Sequence, residues 1–313
     1  MYYIGIDLGG TNIAAGLVNE SGKIIMHKSI PTLKERAPEA IAQDMIELCK
    51  GIMVENNLTE KDIYSVGIGT PGFIDSEQGI IIYANNISFN NFPMGQIMKE
   101  AIGLPVYVGN DADCAALGEV TSGIAKGCKN AIILTLGTGV GGGLVINERI
   151  FSGSFPGGGE LGHQVIIQDG KYCTCGRNGC LEAYASATAL IDDAKEVATA
   201  NPDSILNKLV GGDLSRMNAK IPFDAAQQGD MVGQELVTAY IGYLATGIVN
   251  LINIFKPEMI VLGGGVSKQK EKLIEPLVEM VKKEVYAGDF RTKIDVALLG
   301  NDAGIIGAAM LGK

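Results

Sequence analysis

Ile4-Gly-Ile-Asp-Leu-Gly-Gly-Thr11 is a β-prone run that ends on a carboxylate and a double glycine, and its reading decides the fold. Ile13 to Val18 and Lys23 to Ser29 follow as two more β-prone runs, set apart by Gly-Gly-Thr-Asn and Asn-Glu-Ser-Gly, so the chain opens with three consecutive antiparallel strands. The same pattern returns at Ile133-Leu-Thr-Leu-Gly-Thr-Gly139, closing with Gly143-Leu-Val145 as the first copy closes with Gly16-Leu-Val18. Two similar halves, each beginning strand, glycine turn, strand, would face each other across a cleft. Between them Ala37 to Asn56 places Ile41, Met45, Ile46, Cys49, Ile52 and Met53 at helical spacing, and Val66 to Gly69 reads as a strand. Pro105 to Val108 is a further strand running into Gly109-Asn110-Asp111, and Ala112 to Val120 is helical. This alternation defines an α/β fold, in which ligands meet the ends of strands. A third glycine run, Ile260-Val-Leu-Gly-Gly-Gly-Val-Ser267, precedes a helix at Lys270 to Val285, and a last helix at Ala303 to Leu311 would cross back to the first domain.

The 313 residues suffice for two ordinary domains, and 47% apolar against 19% charged residues is a globular composition. The 43 glycines come with only 10 prolines and no three-residue period, which excludes collagen and linker. A net charge of −10 would repel a phosphate backbone, so nucleic acid is not an expected partner. No basic stretch followed by an apolar run opens the chain, which predicts a cytoplasmic protein whose cysteines stay reduced. Leu236 to Phe255 carries no charge over 20 residues, the length of a membrane span. Its tyrosines, threonines and asparagines, and the Lys256-Pro257 that ends it, predict a buried helix with no membrane partner.

Glycine turns at strand ends let backbone N–H groups approach a phosphate closely. Asp7, Gly9, Gly10, Thr11 and Asn12 form one such turn and Gly137, Thr138 and Gly139 a second; together they would grip phosphates from opposite sides. Asp7 has no apolar reason to end a strand, and its expected task is to hold hydrated Mg²⁺ beside a phosphate. No GxxxxGK[ST] occurs, so the chain is not a P-loop enzyme, and the glycines after Leu136 lie within a hairpin and do not open a helix. On this view much of the glycine excess serves phosphates at 9–10 and 137–143 and turns of a metal loop. That loop is Cys173-Thr-Cys-Gly-Arg-Asn-Gly-Cys180, with His163 ten residues before its first thiol. Three Cys and one His are a closed tetrahedral set for structural Zn²⁺. Glu160 and Glu182 flank it, and Asn85, Asn86, Asn110 and Asp111 add polar groups at strand ends, side chains suited to sugar hydroxyls.

Taken together, Asp7-Leu-Gly-Gly-Thr11, Gly69-Thr-Pro-Gly72, Gly109-Asn-Asp-Ala112, Leu136-Gly-Thr-Gly-Val-Gly-Gly-Gly143, Glu160-Leu-Gly-His163, the cysteine loop with Glu182, and Gly263-Gly-Gly265 resemble the ROK family, closest to its bacterial glucokinases. The resemblance spans essentially the whole chain. It implies a two-domain actin-like ATPase (ribonuclease H-like) α/β fold with ATP and hexose in the interdomain cleft. The expected division is 1–117 with 300–313 as a smaller domain and 118–299 as a larger one bearing the zinc loop. It further implies Asp111 as general base, zinc on His163, Cys173, Cys175 and Cys180, and sugar contacts from Gly72, Asn86, Asn110, Asp111, Glu160, His163 and Glu182. Gly263, Gly264 and Gly265 would face the adenosine. The implied reaction is ATP-dependent phosphorylation of glucose at O6, with fructose, mannose, allose or an N-acetylhexosamine as alternative acceptors and polyphosphate as an alternative donor. Family habit implies a dimer or tetramer. Two positions depart from the pattern: Asn12 stands where many members have Lys, and Asp113 where Asn is common. A sugar-sensing regulator and a chaperone-like or filament-forming ATPase are the competing readings; the first glycine turn begins by Gly9, which leaves no expected room for the DNA-binding segment of the regulators.

Overall fold

A computed structural model describes residues 1–84 and 87–313, and two compact units divide the chain. The first comprises Met1–Ile133, Gly143–Gly159 and Leu298–Lys313; the second comprises Leu134–Gly142 and Glu160–Ala297.

The first unit is built on a five-stranded sheet of β1 (Tyr2–Leu8), β2 (Asn12–Asn19), β3 (Ile24–Pro31), β4 (Ile63–Thr70) and β8 (Val106–Asn110), in the order β3-β2-β1-β4-β8. Strands β1, β2 and β3 pair antiparallel, with Ile4 opposite Leu17 and Gly16 opposite His27, as the opening sequence predicts. β1, β4 and β8 run parallel, with Ile6 beside Ile68 and Gly69 beside Gly109. Between β3 and β4 runs α1 (Pro38–Glu55), started by proline in its first turn. A small sheet of β5 (Phe73–Asp75), β6 (Ile80–Tyr83) and β7 (Asn90–Phe92) precedes α2 (Met94–Ile102), and α3 (Asp111–Ser122) follows β8 directly.

Alternation along β1 sorts its side chains to two buried faces. Ile4, Ile6 and Leu8 pack with Ile41, Met45 and Ile52 of α1 and with Met94 and Met98 of α2. Each fully buried aliphatic side chain contributes roughly 1.5–3 kcal/mol. The other face, through Tyr3, meets Ile305, Ala309 and Met310 of α11 (Asp302–Met310). That helix lies directly on the strands: a Cβ added at Gly67 would fall 1.7 Å from the Ala308 carbonyl oxygen, and one at Gly307 would fall 1.6 Å from that of Cys114 in α3. Much of the glycine excess therefore serves close backbone packing around α11, beyond the phosphate and metal turns to which the sequence reading assigned it. Gly143 serves a similar close approach to α3, its absent side chain facing Ala112 and Ala116.

Strands β9 (Ala131–Leu136) and β10 (Val140–Ile146) pass through both units, and β11 (Arg149–Ile150) pairs with the end of β10 in the first. The units thus place 118–133 and 143–159 with the first, where the sequence expectation places them in the larger domain. The physical reason is local: α3 continues to Ser122, and buried Glu119 accepts the N–H groups of Ile124 and Leu299, both at 2.9 Å.

In the second unit β9 neighbours β12 (Met259–Gly263), which pairs parallel with β13 (Lys293–Val296), Ile260 beside Ile294. Helices α4 (Glu182–Ala185), α5 (Ala187–Ala200), α6 (Ile205–Leu209), α7 (Ile221–Gln227), α8 (Met231–Phe255), α9 (Gly264–Ser267) and α10 (Glu271–Glu284) complete it. Among the described residues α8 alone is long and apolar enough to cross a membrane. Its Leu236, Tyr240, Ile241, Leu244, Ile248 and Ile252 are buried, and the Tyr240 hydroxyl donates to the Ala185 carbonyl at 2.8 Å. The helix stops where Lys256 turns left-handed, ahead of Pro257.

Candidate functional site

In the first unit the turn after β1 is closed by the Gly9 N–H donating to the Asn12 carbonyl at 2.9 Å. Thr32, fully buried at the end of β3, ties the turn down: its hydroxyl donates to the Gly9 carbonyl at 2.6 Å and its N–H to the Thr11 carbonyl at 2.8 Å. Gly10 lies inside this turn. Thr32 was missed in the sequence because it sits some twenty residues away; the antiparallel pairing of β2 with β3 was the available signal.

Asp111 begins α3 at the end of β8. Asn110 caps that helix, its Oδ1 accepting the Ala112 N–H at 2.8 Å and the Asp113 N–H at 3.4 Å, and its Nδ2 donates to the Gly72 carbonyl at 3.2 Å. Gly72 has φ +115°, and a Cβ there would lie 2.3 Å from the Tyr83 carbonyl oxygen, so no other residue fits. Gly72, Asn110 and Asp111 are thereby brought together. Burial pushes the Asp111 carboxyl above its ordinary range, against the pull of the Ala112 N–H. Burial, and then the charge of Asp111, push Asp7 up to about 6. Among the described residues no Lys or Arg pairs with either carboxylate. Two mutually repelling, partly desolvated carboxylates suit a hydrated divalent cation, which takes carboxylate and water oxygens. Asn12 is exposed, Asp113 is buried, and Asn86 lies outside the described residues.

In the second unit the turn of Gly137, Thr138 and Gly139 is closed by the Gly137 N–H donating to the Gly139 carbonyl at 3.0 Å, and the Ala187 N–H donates to the Gly137 carbonyl at 2.8 Å. Gly263 ends β12, and Gly264, with φ +84°, approaches the end of β9 so closely that a Cβ would lie 2.4 Å from the Leu136 carbonyl oxygen. Two glycine runs that are far apart in sequence, Gly137–Gly139 and Gly263–Gly265, therefore border one another.

The ligand atoms of His163, Cys173, Cys175 and Cys180 all lie within 4.8 Å of one another. His163 Nδ1 is 3.6 Å from Cys173 Sγ, and Cys175 Sγ is 3.6 Å from Cys180 Sγ. A zinc–sulfur bond of about 2.3 Å in a tetrahedron implies sulfur separations of about 3.8 Å, so the donor set fits the ion. Backbone bonds from Cys173 N–H to the Arg177 carbonyl and from Gly176 N–H to the Cys173 carbonyl, both 2.9 Å, fold the loop to this shape. With Nδ1 toward the sulfurs, the Nε2 of His163 is left for another partner. Glu160 is exposed at the head of the same turn, its carbonyl accepting the His163 N–H at 3.1 Å. Cys49 and Cys114 are buried in the first unit.

Two α/β units, each with a strand, glycine turn, strand hairpin, define an actin-like ATPase fold, here with a Cys₃His loop beside the second hairpin. The ROK family model matches residues 3–313, and the chain belongs to that family. It is 38% identical to a glucokinase of Halalkalibacterium halodurans, covering 100% of this chain and 95% of that protein. A xylose repressor of Caldicellulosiruptor bescii is 30% identical over 97% of this chain and 76% of the repressor. Among solved structures, a ROK family glucokinase from Streptomyces griseus in complex with glucose and AMPPNP is 34% identical with a TM-score of 0.79, covering 99% of both chains. A ROK hexokinase from Thermus thermophilus is 35% identical with a TM-score of 0.85, covering 100% of this chain and 97% of the other.

Proposed function

We propose that this protein is an ATP-dependent hexokinase that phosphorylates glucose at O6. The observation that carries the reading is Asp111: a carboxylate at a strand end, with its basicity raised by desolvation, flanked by the hydrogen-bonded pair Asn110 and Gly72 and near enough to Asp7 for the two charges to repel. The full-length similarity to glucokinases supports it. Gly72, Asn86, Asn110, Glu160, His163 and Glu182 would bind the sugar. Asp111 would then accept the O6 proton as that oxygen bonds to the γ-phosphorus. The bond from phosphorus to the β,γ-bridging oxygen breaks, and ADP leaves. A positioned base contributes about 10²–10⁴-fold. N–H groups of the turns at Gly9–Asn12 and Gly137–Gly139 would hold the phosphates, and Gly263–Gly265 would face the adenosine. Asp7 would hold Mg²⁺ through its water shell, and when bound this ion neutralises charge on the transferring phosphate. Zinc on His163, Cys173, Cys175 and Cys180 would be structural, since the protein fills all four positions.

A cytoplasmic location fits the six free cysteines, and a dimer or tetramer follows family habit. A regulatory role on DNA is disfavoured by the net charge of −10 and by the lower identity to the repressor. The deciding measurement is coupled ADP release with glucose, fructose, mannose, allose and N-acetylhexosamines, with ATP and polyphosphate as donors. Glucose with ATP should give the highest kcat/KM. ADP release indifferent to every sugar would overturn the reading, and a higher kcat/KM for another hexose would reassign the acceptor.

A further inference from the structure

Within the second unit, the side chain of Glu182 joins the metal loop to the glycine turn that follows β9. Its Oε2 accepts the Val140 N–H at 2.9 Å, and its Oε1 lies 3.6 Å from Cys173 Sγ. Gly139 makes the approach possible: a Cβ at that position would fall 2.3 Å from Oε2 and displace the carboxylate. A second contact comes from Gly162, in the turn between Glu160 and His163, where a Cβ would fall 2.0 Å from the Val140 carbonyl oxygen. A third is the Ala187 N–H bond to the Gly137 carbonyl. The residues at both ends of the turn are thus held by the segments around the cluster, and only at Val140 is the holding group a charged side chain. A carboxylate on a backbone N–H makes a stronger and more directional bond than a neutral acceptor. It also fixes the orientation of the neighbouring peptide groups, whose N–H donors are the ones a phosphate would meet.

We propose that Glu182 is a positioning residue for the phosphate turn Gly137–Val140, and that the metal cluster sets nucleotide affinity by folding the loop that carries Glu182, two residues beyond Cys180, to the Val140 N–H. This rests on the phosphate role proposed above for that turn, and it gives Glu182 a task beyond any contact with sugar. The carboxylate has acceptor capacity for both, since each oxygen carries two lone pairs.

Calorimetric titration of the zinc-loaded full chain with Mg²⁺ and AMPPNP, in the absence of sugar, tests the proposal. Glu182→Ala should weaken AMPPNP binding at least about tenfold, the effect of losing one charge-assisted hydrogen bond, with zinc content and far-ultraviolet circular dichroism unchanged. Glu182→Gln, which keeps a carbonyl oxygen for the Val140 N–H, should bind AMPPNP within about threefold of the parent. Gly162→Ala, which presses on Val140 without touching Glu182, should also weaken AMPPNP. Removing zinc from the parent with a chelator should reproduce the Glu182→Ala loss while the fold persists. Parent-like AMPPNP affinity in Glu182→Ala, with only glucose binding reduced, would overturn the proposal and leave the kinase reading intact. A parent chain that binds no AMPPNP would overturn both.

Discussion

Asn110 hydrogen-bonds the Gly72 carbonyl at 3.2 Å through the same side chain that caps the helix starting at Asp111. One amide therefore fixes both the proposed base and the neighbouring Gly72, a proposed sugar contact. Its two ends do different things: Oδ1 accepts from the helix, and Nδ2 donates across to the segment before β5. Asn110→Ala should lose both, lowering stability by about 1 kcal/mol for the missing cap and reducing kcat/KM for the sugar. Asn110→Asp keeps the cap and loses the donor, so it should retain most of the stability and still lose activity. Thermal unfolding with steady-state kinetics separates the two effects.

Asp111→Asn removes the proton acceptor while preserving side-chain shape. Turnover should fall by about 10²–10⁴-fold, with glucose binding still measurable by calorimetry. A variant with kcat near that of the parent would remove Asp111 from its role as base.

Asp7 sets an expectation for pH. Its carboxyl is raised from 3.8 to about 6 by burial and by Asp111. Between these values the folded chain binds a proton that the unfolded chain has released, so this group's contribution to stability falls as pH rises through that window. Metal-free Asp7→Asn should accordingly be more stable than the parent at pH 7, by up to about 3 kcal/mol, while losing activity. The acid limb of kcat/KM in the parent should fall near pH 6, because Asp7 must be ionised to hold hydrated Mg²⁺. A limb near pH 4 in the profile would count against this assignment.

Metal analysis should find about one zinc per chain, the content of one four-ligand site. Cys180→Ala should lose the ion and lower Tm, because the loop around Cys173 and Gly176 would then be closed by backbone bonds alone. Cys128→Ser, outside the cluster, should keep it.

Gly67→Ala tests the packing of α11 on the sheet. The added methyl carbon would meet the Ala308 carbonyl oxygen at 1.7 Å, and backbone must move to admit it. Denaturant unfolding should show a loss of about 1–3 kcal/mol or more.

The meander, α1, α8 and the cysteine loop were legible because each rests on a local signal. Strand runs broken by Gly-Gly-Thr-Asn, the apolar spacing from Ile41 to Met53, and C-x-C-x₄-C involve residues within a few turns of each other. Thr32, Gly304 and the Val140 partner of Glu182 were not legible. Gly304 looks like any small helix residue, yet a Cβ there would fall 2.7 Å from Asp7 Oδ2. Nor does the spacing from Asn110 back to Gly72 carry any periodicity.

By itself, then, the sequence determined the opening meander, the helices α1, α3, α8, α10 and α11, the glycine turns and the chemical inventory: carboxylates at Asp7 and Asp111, three thiols and an imidazole, three glycine runs. Hydrophobic period and turn chemistry act over a few residues, so they survive in one dimension. Only the tertiary structure decided which glycine admits which backbone and which carboxylate meets which amide. Those pairings join residues 38 or 42 positions apart, as Gly72 with Asn110 and Val140 with Glu182. They form only because burying both faces of β1 and β4, and folding the metal loop, bring distant segments to the same strand ends.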